Sequence, residues 1–353
     1  VRDVVVQDET FAHSAIIQNG KNKTGYIKLP SFYSDFTRTG AHHCSQDVKS
    51  EVLKLKKENV SGIVLDLRDN GGGSLSEVVD MAGLFIKDGP IVQVRKKEGK
   101  ADQLNDKNSD QAYDGPFVVM VNRNSASASE IMAAAMQDYK RAVILGSQSF
   151  GKGTVQSFLE LDNYVLPQFD TLKPLGSLKV TMQKFYRING GATQLKGVIP
   201  DINLPDPYSY IETGEKELDN PMPWDEIEKA QYEPLQGINY EKLKKQSAER
   251  IKKSKEFNLV EQEAKEVKAK KDDSKYSLNL EKYMAEAKKI KEGNKKYDEL
   301  KNDIKGIDVN LLTTDVERLS ADTTKLSREK KWALNLKKDI YLYEATNVIS
   351  DMK

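Results

Sequence analysis

The sequence predicts an α/β protein whose first part folds around a largely parallel sheet and whose last part is helical. Three observations carry that prediction. Short apolar runs rich in β-branched residues, such as Gly62-Ile63-Val64-Leu65-Asp66-Leu67 and Phe117-Val118-Val119-Met120-Val121, read as buried strands. Segments with apolar residues at helical spacing alternate with them, as parallel strands with crossovers require. From about Tyr240 the chain is rich in Lys and Glu, carries no further Pro, and keeps helical spacing to its end.

The elements follow in order. Residues 1–24 read as a polar lead-in with one apolar stretch, Val4-Val5-Val6. Tyr26 to Leu29 reads as a strand, and Val48, Val52, Leu53 and Leu55 mark a helix. After the strand ending at Leu67, Leu75, Val78, Val79, Ala82 and Phe85 give the next helix its apolar face. Ile91–Val94, Phe117–Val121 and Val143–Leu145 add strands, and Ile131–Met136 adds a helix of strong helix formers. Arg95 to Asp114 is polar and charged and reads as a surface excursion. Ser177 to Arg187 reads as a long strand ending in the turn Asn189-Gly190-Gly191. The composition shifts near Asp206-Pro207, and Pro221-Met222-Pro223-Trp224 reads as a rigid joint. The organisation expected is a lead-in (1–24), an α/β core (25–215) and a helical C-terminal domain (216–353).

Charge and composition exclude little. The 353 residues carry 55 Lys and Arg against 54 Asp and Glu, which gives no overall drive toward nucleic acid or an anionic membrane. No apolar run is long enough for a membrane-spanning helix. A single Cys44 excludes an internal disulfide. No signal peptide is read, and the start at Val1 rather than Met implies a cut fragment. Charged runs such as Lys265 to Lys275 read as solvated helix faces.

The chemistry concentrates around Asn124-Ser125-Ala126-Ser127-Ala128-Ser129-Glu130 and Gly151-Lys152-Gly153-Thr154-Val155-Gln156. A small-residue turn between a strand and a helix exposes a hydroxyl beside free backbone N–H groups, the setting a serine nucleophile needs. Serine needs a base. His13, His42 and His43 all lie upstream without an evident acid partner, so Lys152, between two glycines, is the candidate. A lysine serves as base when burial lowers its pKa. The bland reading of Ser127-Ala128-Ser129-Glu130 is a helix-capping box, with Ser125 and Ser129 as fallback nucleophiles. Asp69-Asn70-Gly71-Gly72-Gly73 sits between a strand and a helix. Its backbone N–H groups suit an oxyanion, with Gly72 or Gly73 acting together with Ala128. Gln156, four residues beyond Lys152, shares its face if the segment is a strand. His42-His43-Cys44 lacks the spacing and the fourth ligand of a metal site. Phe32, Tyr33 and Phe36 read as core or groove aromatics.

These segments, together with Gly25-Tyr26-Ile27-Lys28-Leu29-Pro30, Gln183-Lys184-Phe185-Tyr186-Arg187 and Gly197-Val198-Ile199-Pro200-Asp201, closely resemble the carboxyl-terminal processing, or tail-specific, proteases. The resemblance spans about Gly25 to Asp225. It implies a crotonase- or Clp-protease-like superhelix of ββα units, Ser127 as nucleophile, Lys152 as general base, Gln156 orienting the lysine and Asp138 supporting the site. The helical tail resembles the C-terminal domain of the longer members. No cofactor or metal is implied. Protein or peptide substrates with accessible C-terminal tails are implied, in the periplasm or cell envelope of a bacterium; the helical tail suits an adaptor or self-association. The family's peptide-tail-binding PDZ domain finds no room in residues 1–24. Two other readings stand beside this one. The first is a non-catalytic binding scaffold. The second is a phosphate-binding loop at Gly146-Ser147-Gln148-Ser149-Phe150-Gly151-Lys152, with Asp66 on magnesium, weakened by Gly153 and by a strand-like segment after it.

Overall fold

The computed structural model describes residues 10–35, 42–97, 99–106 and 111–353. Val4-Val5-Val6, Phe36 and part of the Arg95–Asp114 excursion lie outside the described residues. In chain order the elements are β1 (His13–Asn19), β2 (Asn22–Lys28), α1 (Cys44–Lys57), β3 (Gly62–Asp66), α2 (Leu75–Gly83), β4 (Pro90–Lys96), β5 (Asp102–Asn105), β6 (Phe117–Val121), α3 (Ala128–Asp138), β7 (Val143–Gly146), β8 (Thr154–Glu160), β9 (Ser177–Tyr186) and β10 (Ile202–Asn203). The C-terminal region adds α4 (Tyr240–Lys253), α5 (Lys255–Asp272), α6 (Leu280–Asn294), β11 (Ile307–Asn310), α7 (Thr313–Leu319), α8 (Thr323–Leu336) and α9 (Ile340–Asp351).

A seven-stranded sheet in the order β10-β7-β6-β3-β2-β1-β11 forms the centre. The pairs from β10 to β2 are parallel; β1 pairs antiparallel with both β2 and β11. A second, antiparallel sheet of four strands runs β5-β4-β9-β8. The α/β class with a mostly parallel sheet and a helical C-terminal region is what the sequence implies.

Why β6 is apolar at every position, and β3 at every position before its terminal Asp66, is now plain. Ile63, Leu65, Phe117, Val119 and Val121 face a core shared with α1, α2 and α3. Val64, Val118 and Met120 face a second core built with Leu243, Phe257, Leu336, Leu342, Val348 and Ile349 of the helical region. Alternation along a strand sends successive side chains to opposite faces, so both faces need a cover. Helices α1–α3 cover one face; α4, α5, α8 and α9 contribute to the other.

One expectation is corrected here. Residues 13–19, read as lead-in, form β1 and bury Ser14, Ala15, Ile16 and Ile17. The helical region is also stitched to the core by β11, which pairs with β1. A buried ion pair adds a further tie. Arg68, just past β3, bridges Asp66 at 2.7 Å and Asp339 at 2.6 Å, and Asp339 caps the N-terminus of α9.

Candidate active site

Three loops at the carboxyl ends of β3, β6 and β7 converge on one place, where a parallel sheet presents its ligand-binding edge. The first is Asp69–Gly73, after β3. The second is Asn122–Ser127, between β6 and α3. The third is Ser147–Gly153, between β7 and β8.

The middle loop decides which serine is available. Ser125 is fully buried; its hydroxyl donates to the Leu67 carbonyl at 2.8 Å and accepts from the Asn122 N–H. Ser129 is fully buried and donates to the Asn70 carbonyl at 2.8 Å. The hydroxyls of both fallback nucleophiles are thus buried and hydrogen-bonded. Ser127 is half-buried and sits at the N-cap of α3 with φ 58° and ψ −113°. A non-glycine residue at positive φ is strained and persists only where its surroundings hold it.

Glu130 does the holding. Its Oε2 accepts the Ser127 N–H at 2.8 Å and the Lys152 N–H at 2.9 Å. Its Oε1 accepts the Gly151 N–H at 2.7 Å and the Ser149 hydroxyl at 2.6 Å. The glutamate arm of the capping box is thus present, but the same carboxylate also grips the loop carrying Lys152. Burial pushes the Glu130 pKa up to about 7, with the four donors pulling the other way.

The glycine loop closes on this turn. Asn70, fully buried, donates from Nδ2 to the Leu29 carbonyl; its own carbonyl accepts the Ala126 N–H and the Ser129 hydroxyl. Gly72 has φ +102°, and a Cβ there would stand 2.8 Å from Ser127 Cβ and 3.0 Å from Ala128 N. Glycine keeps that space clear. The Gly72 N–H, expected as a donor to the oxyanion, is spent on Asn70 Oδ1 at 2.9 Å. Among the described residues, the N–H groups of Gly73 and Ala128 have no hydrogen-bond partner.

Lys152 is half-buried. Burial lowers its pKa below the ordinary lysine value, the nearby Lys179 charge lowers it further, and Glu215 and Glu130 oppose. Among the described residues no hydrogen bond joins its amine to Ser127 or to Gln156. The Gln156 amide instead donates to Thr154 Oγ1 at 2.8 Å and Thr181 Oγ1 at 3.4 Å. Asp138 lies at the far end of α3, roughly 16 Å along the helix axis from Ser127, in a bidentate pair with Arg187 at 2.6 and 3.0 Å. It is not brought to the site. Glu130 and Asn70 are the residues sequence reasoning passed over. The only local signals were the capping-box spacing and the residue before the glycine run.

The rival chemistries find little support. After Gly151-Lys152-Gly153 comes strand β8, not a helix, so the loop has no helix N-terminus to hold phosphates. Asp66 is engaged by Arg68 and by the Tyr26 hydroxyl. His42 and His43 pair with Asp47 at 2.9 Å and Glu77 at 2.8 Å, and Cys44 Sγ is buried against Glu77. Phe32 is buried and its backbone bridges to Gly73; the Tyr33 hydroxyl donates to Asp47 and accepts the Ala12 N–H.

The serine turn, the lysine loop and the glycine loop share this edge of the sheet. Comparison places the chain in a family. Residues 23–204 match the model of peptidase family S41, and residues 208–353 match that of the C-terminal domain of tail specific protease. The chain belongs to peptidase family S41. A tail-specific protease of Haemophilus influenzae is 47% identical over 234 residues, 66% of this chain and 32% of the relative. A carboxy-terminal-processing protease of Bartonella bacilliformis is 32% identical over 223 residues, 61% of this chain and 48% of the relative. This chain therefore spans between about a third and a half of those relatives. Among solved structures, a photosystem II D1 C-terminal processing protease aligns over 57% of this chain and 50% of its own, with 27% identity and a TM-score of 0.47. No helix among the described residues is long and apolar enough to cross a membrane.

Proposed function

We propose that the chain carries the catalytic centre of a serine endopeptidase with a lysine base, cutting proteins or peptides near their C-terminal tails through an acyl-enzyme. The observation that carries the reading is the shared Glu130 carboxylate, which fixes the backbones of Ser127 and Lys152 side by side. Ser127 is the nucleophile because its two neighbouring serines are sealed.

Neutral Lys152 takes the Ser127 hydroxyl proton as Oγ bonds to the scissile carbonyl carbon. Negative charge gathers on the carbonyl oxygen, where the unpaired N–H groups of Gly73 and Ala128 stabilise it by about 3–4 kcal/mol per well-placed donor. Collapse breaks the C–N bond, and the Lys152 ammonium returns its proton to the leaving amine. Water, deprotonated by the same lysine, then cleaves the ester and restores Ser127. No metal or nucleotide enters. The chemistry requires the Lys152 amine to turn onto Ser127, and Gln156 to leave Thr154 and Thr181 if it is to orient that amine. The open amine is the observation that favours a second reading, a non-catalytic scaffold.

By resemblance to its bacterial relatives the protein acts in the periplasm or cell envelope, and the helical region docks an adaptor or a second copy. Cleavage of an unstructured peptide, followed by mass spectrometry, tests the central reading. Products formed by the native chain and absent with Ser127→Ala and with Lys152→Ala support it. Undiminished cleavage by either variant overturns it.

A further inference from the structure

A cavity of about 420 Å³ opens beside the turn that carries Ser127. It lies at the carboxyl ends of β6, β7 and β10, three neighbouring parallel strands, which is the edge where α/β sheets bind ligands. Arg123 enters it four residues before Ser127, and the wall formed by Ser147 to Phe150 leads directly into Lys152. The Phe150 N–H donates to the Ser125 carbonyl at 3.0 Å, so the wall and the serine turn are one unit.

The polar groups of this cavity are incomplete in one sense only. Arg123 stacks flat on the Tyr208 ring, Cζ 3.3 Å from its centroid. Stacking occupies the face of a guanidinium and leaves the in-plane N–H donors unused. Among the described residues Arg123 makes no ion pair and no hydrogen bond. Ser147 Oγ is a buried atom with no partner there either. Of the acids in the same wall, Asp206 accepts the Tyr208 N–H at 2.8 Å with one oxygen, and Glu212 pairs with Lys216 at 3.3 Å. What is missing is an acceptor with two oxygens and a negative charge. A carboxylate meets the Arg123 fork with both oxygens.

We propose that this cavity is a carboxylate-binding subsite for the substrate chain, with Arg123 as its specificity-determining residue. As a substrate subsite it rests on the peptidase reading. The carboxylate comes either from the chain terminus or from an acidic side chain, and the chemistry that recognises it is the same.

Fluorescence polarisation on the full chain bearing Ser127→Ala tests this. The probes are a short, N-terminally labelled alanine-rich peptide with a free C-terminal carboxylate, the same peptide amidated, and the amidated peptide with one internal glutamate. The free acid binds, and Arg123→Gln weakens it about tenfold or more, as loss of a bidentate charged pair demands. Arg123→Lys restores only part, because an ammonium lacks the fork. Amidation should cost the same factor if the subsite reads the terminus; rescue by the internal glutamate assigns it to side chains. Absence of binding by both acidic probes, equal binding of acidic and amidated probes, or indifference to Arg123→Gln overturns the subsite. A serine-directed fluorophosphonate on the native chain is scored separately. Labelling with indifferent binding removes the subsite alone; Arg123-dependent binding without labelling removes the peptidase reading and leaves a carboxylate site without its substrate role.

Discussion

Ser127 and Lys152 donate their backbone N–H groups to one and the same oxygen, Glu130 Oε2, at 2.8 and 2.9 Å. Two nitrogens touching one acceptor at hydrogen-bond distance stand no more than about 6 Å apart. The turn carrying Ser127 and the loop carrying Lys152, separated by α3 and β7, are thereby tied together in their backbones.

Glu130→Gln tests that lock. All four groups facing the carboxylate donate, two to each oxygen. An amide NH₂ placed on either side meets two donors, and each buried donor left without an acceptor costs about 1–3 kcal/mol. Chemical denaturation should show a loss of a few kcal/mol, and the Ser127 turn should lose its strained φ. The pH dependence has a definite sign. The Glu130 pKa is raised, so its ionisation opposes folding. Its contribution to stability is greatest below the ordinary glutamate range and is lost as pH rises through about 7. Glu130→Gln should remove that slope.

Lys179→Glu tests the electrostatics of the base. Lys179 is a like charge that holds the Lys152 pKa down, second to burial. Reversing it favours the ammonium and moves the rise of activity with pH to higher pH. Glu215→Gln should move the rise the other way, since Glu215 raises the same pKa. The pH profile of kcat/KM reads both shifts in the free enzyme.

Gly72→Ala tests the floor of the site. The backbone there has φ +102°, and the new Cβ would meet Ser127 Cβ and the Ala126 carbonyl oxygen at 2.8 Å. Turnover should fall far more than stability, because the clash lands on Ser127, the proposed nucleophile, rather than on the core. A melting curve beside the rate separates the two effects.

How much of this was legible in the sequence follows from what each residue touches. β3 and β6 were legible because strands buried on both faces run apolar through their interiors, with Asp66 only at the end of β3. β1 was not: His13-Ser14 and Gln18-Asn19 flank its short apolar stretch, and it belongs to the sheet only through pairing with β2 and with β11, nearly three hundred residues away. The helices of the tail were legible from spacing, but not their role as the second cover of the central sheet. Ser127 and Lys152 stood out in the sequence by residue type and order, and the shared bond to Glu130 brings their backbones together. Glu130 showed its spacing to Ser127 but not its reach to Gly151 and Lys152. Gln156 would share the Lys152 face only on one regular strand; β8 begins only at Thr154, and its register with β9 shifts between Val155 and Gln156, which resets the faces.

Asp339→Ala tests the union of the two regions. It removes the cap of α9, where Asp339 accepts the Tyr341 and Leu342 N–H groups, and the outer partner of Arg68. A lost cap and a broken, largely buried pair together should cost about 2–5 kcal/mol in urea unfolding. The Arg68 network also sets an acid limit. Burial raises the Asp66 pKa, but the Arg68 and Lys28 charges outweigh it and hold the carboxyl below its ordinary range. The stability it lends is therefore present above the ordinary carboxylate range and lost as pH falls into strong acid.

The claim at the centre is that an uncharged Lys152 activates Ser127. The rate of covalent labelling by a fluorophosphonate, followed against pH on the native chain, on Lys152→Ala and on Ser127→Ala, measures it. The account predicts a rate that climbs with pH through a midpoint below that of ordinary lysine. It also predicts near-complete loss of labelling in Lys152→Ala and none in Ser127→Ala. Labelling that survives in Ser127→Ala, or a pH profile left unchanged by Lys152→Ala, would contradict it.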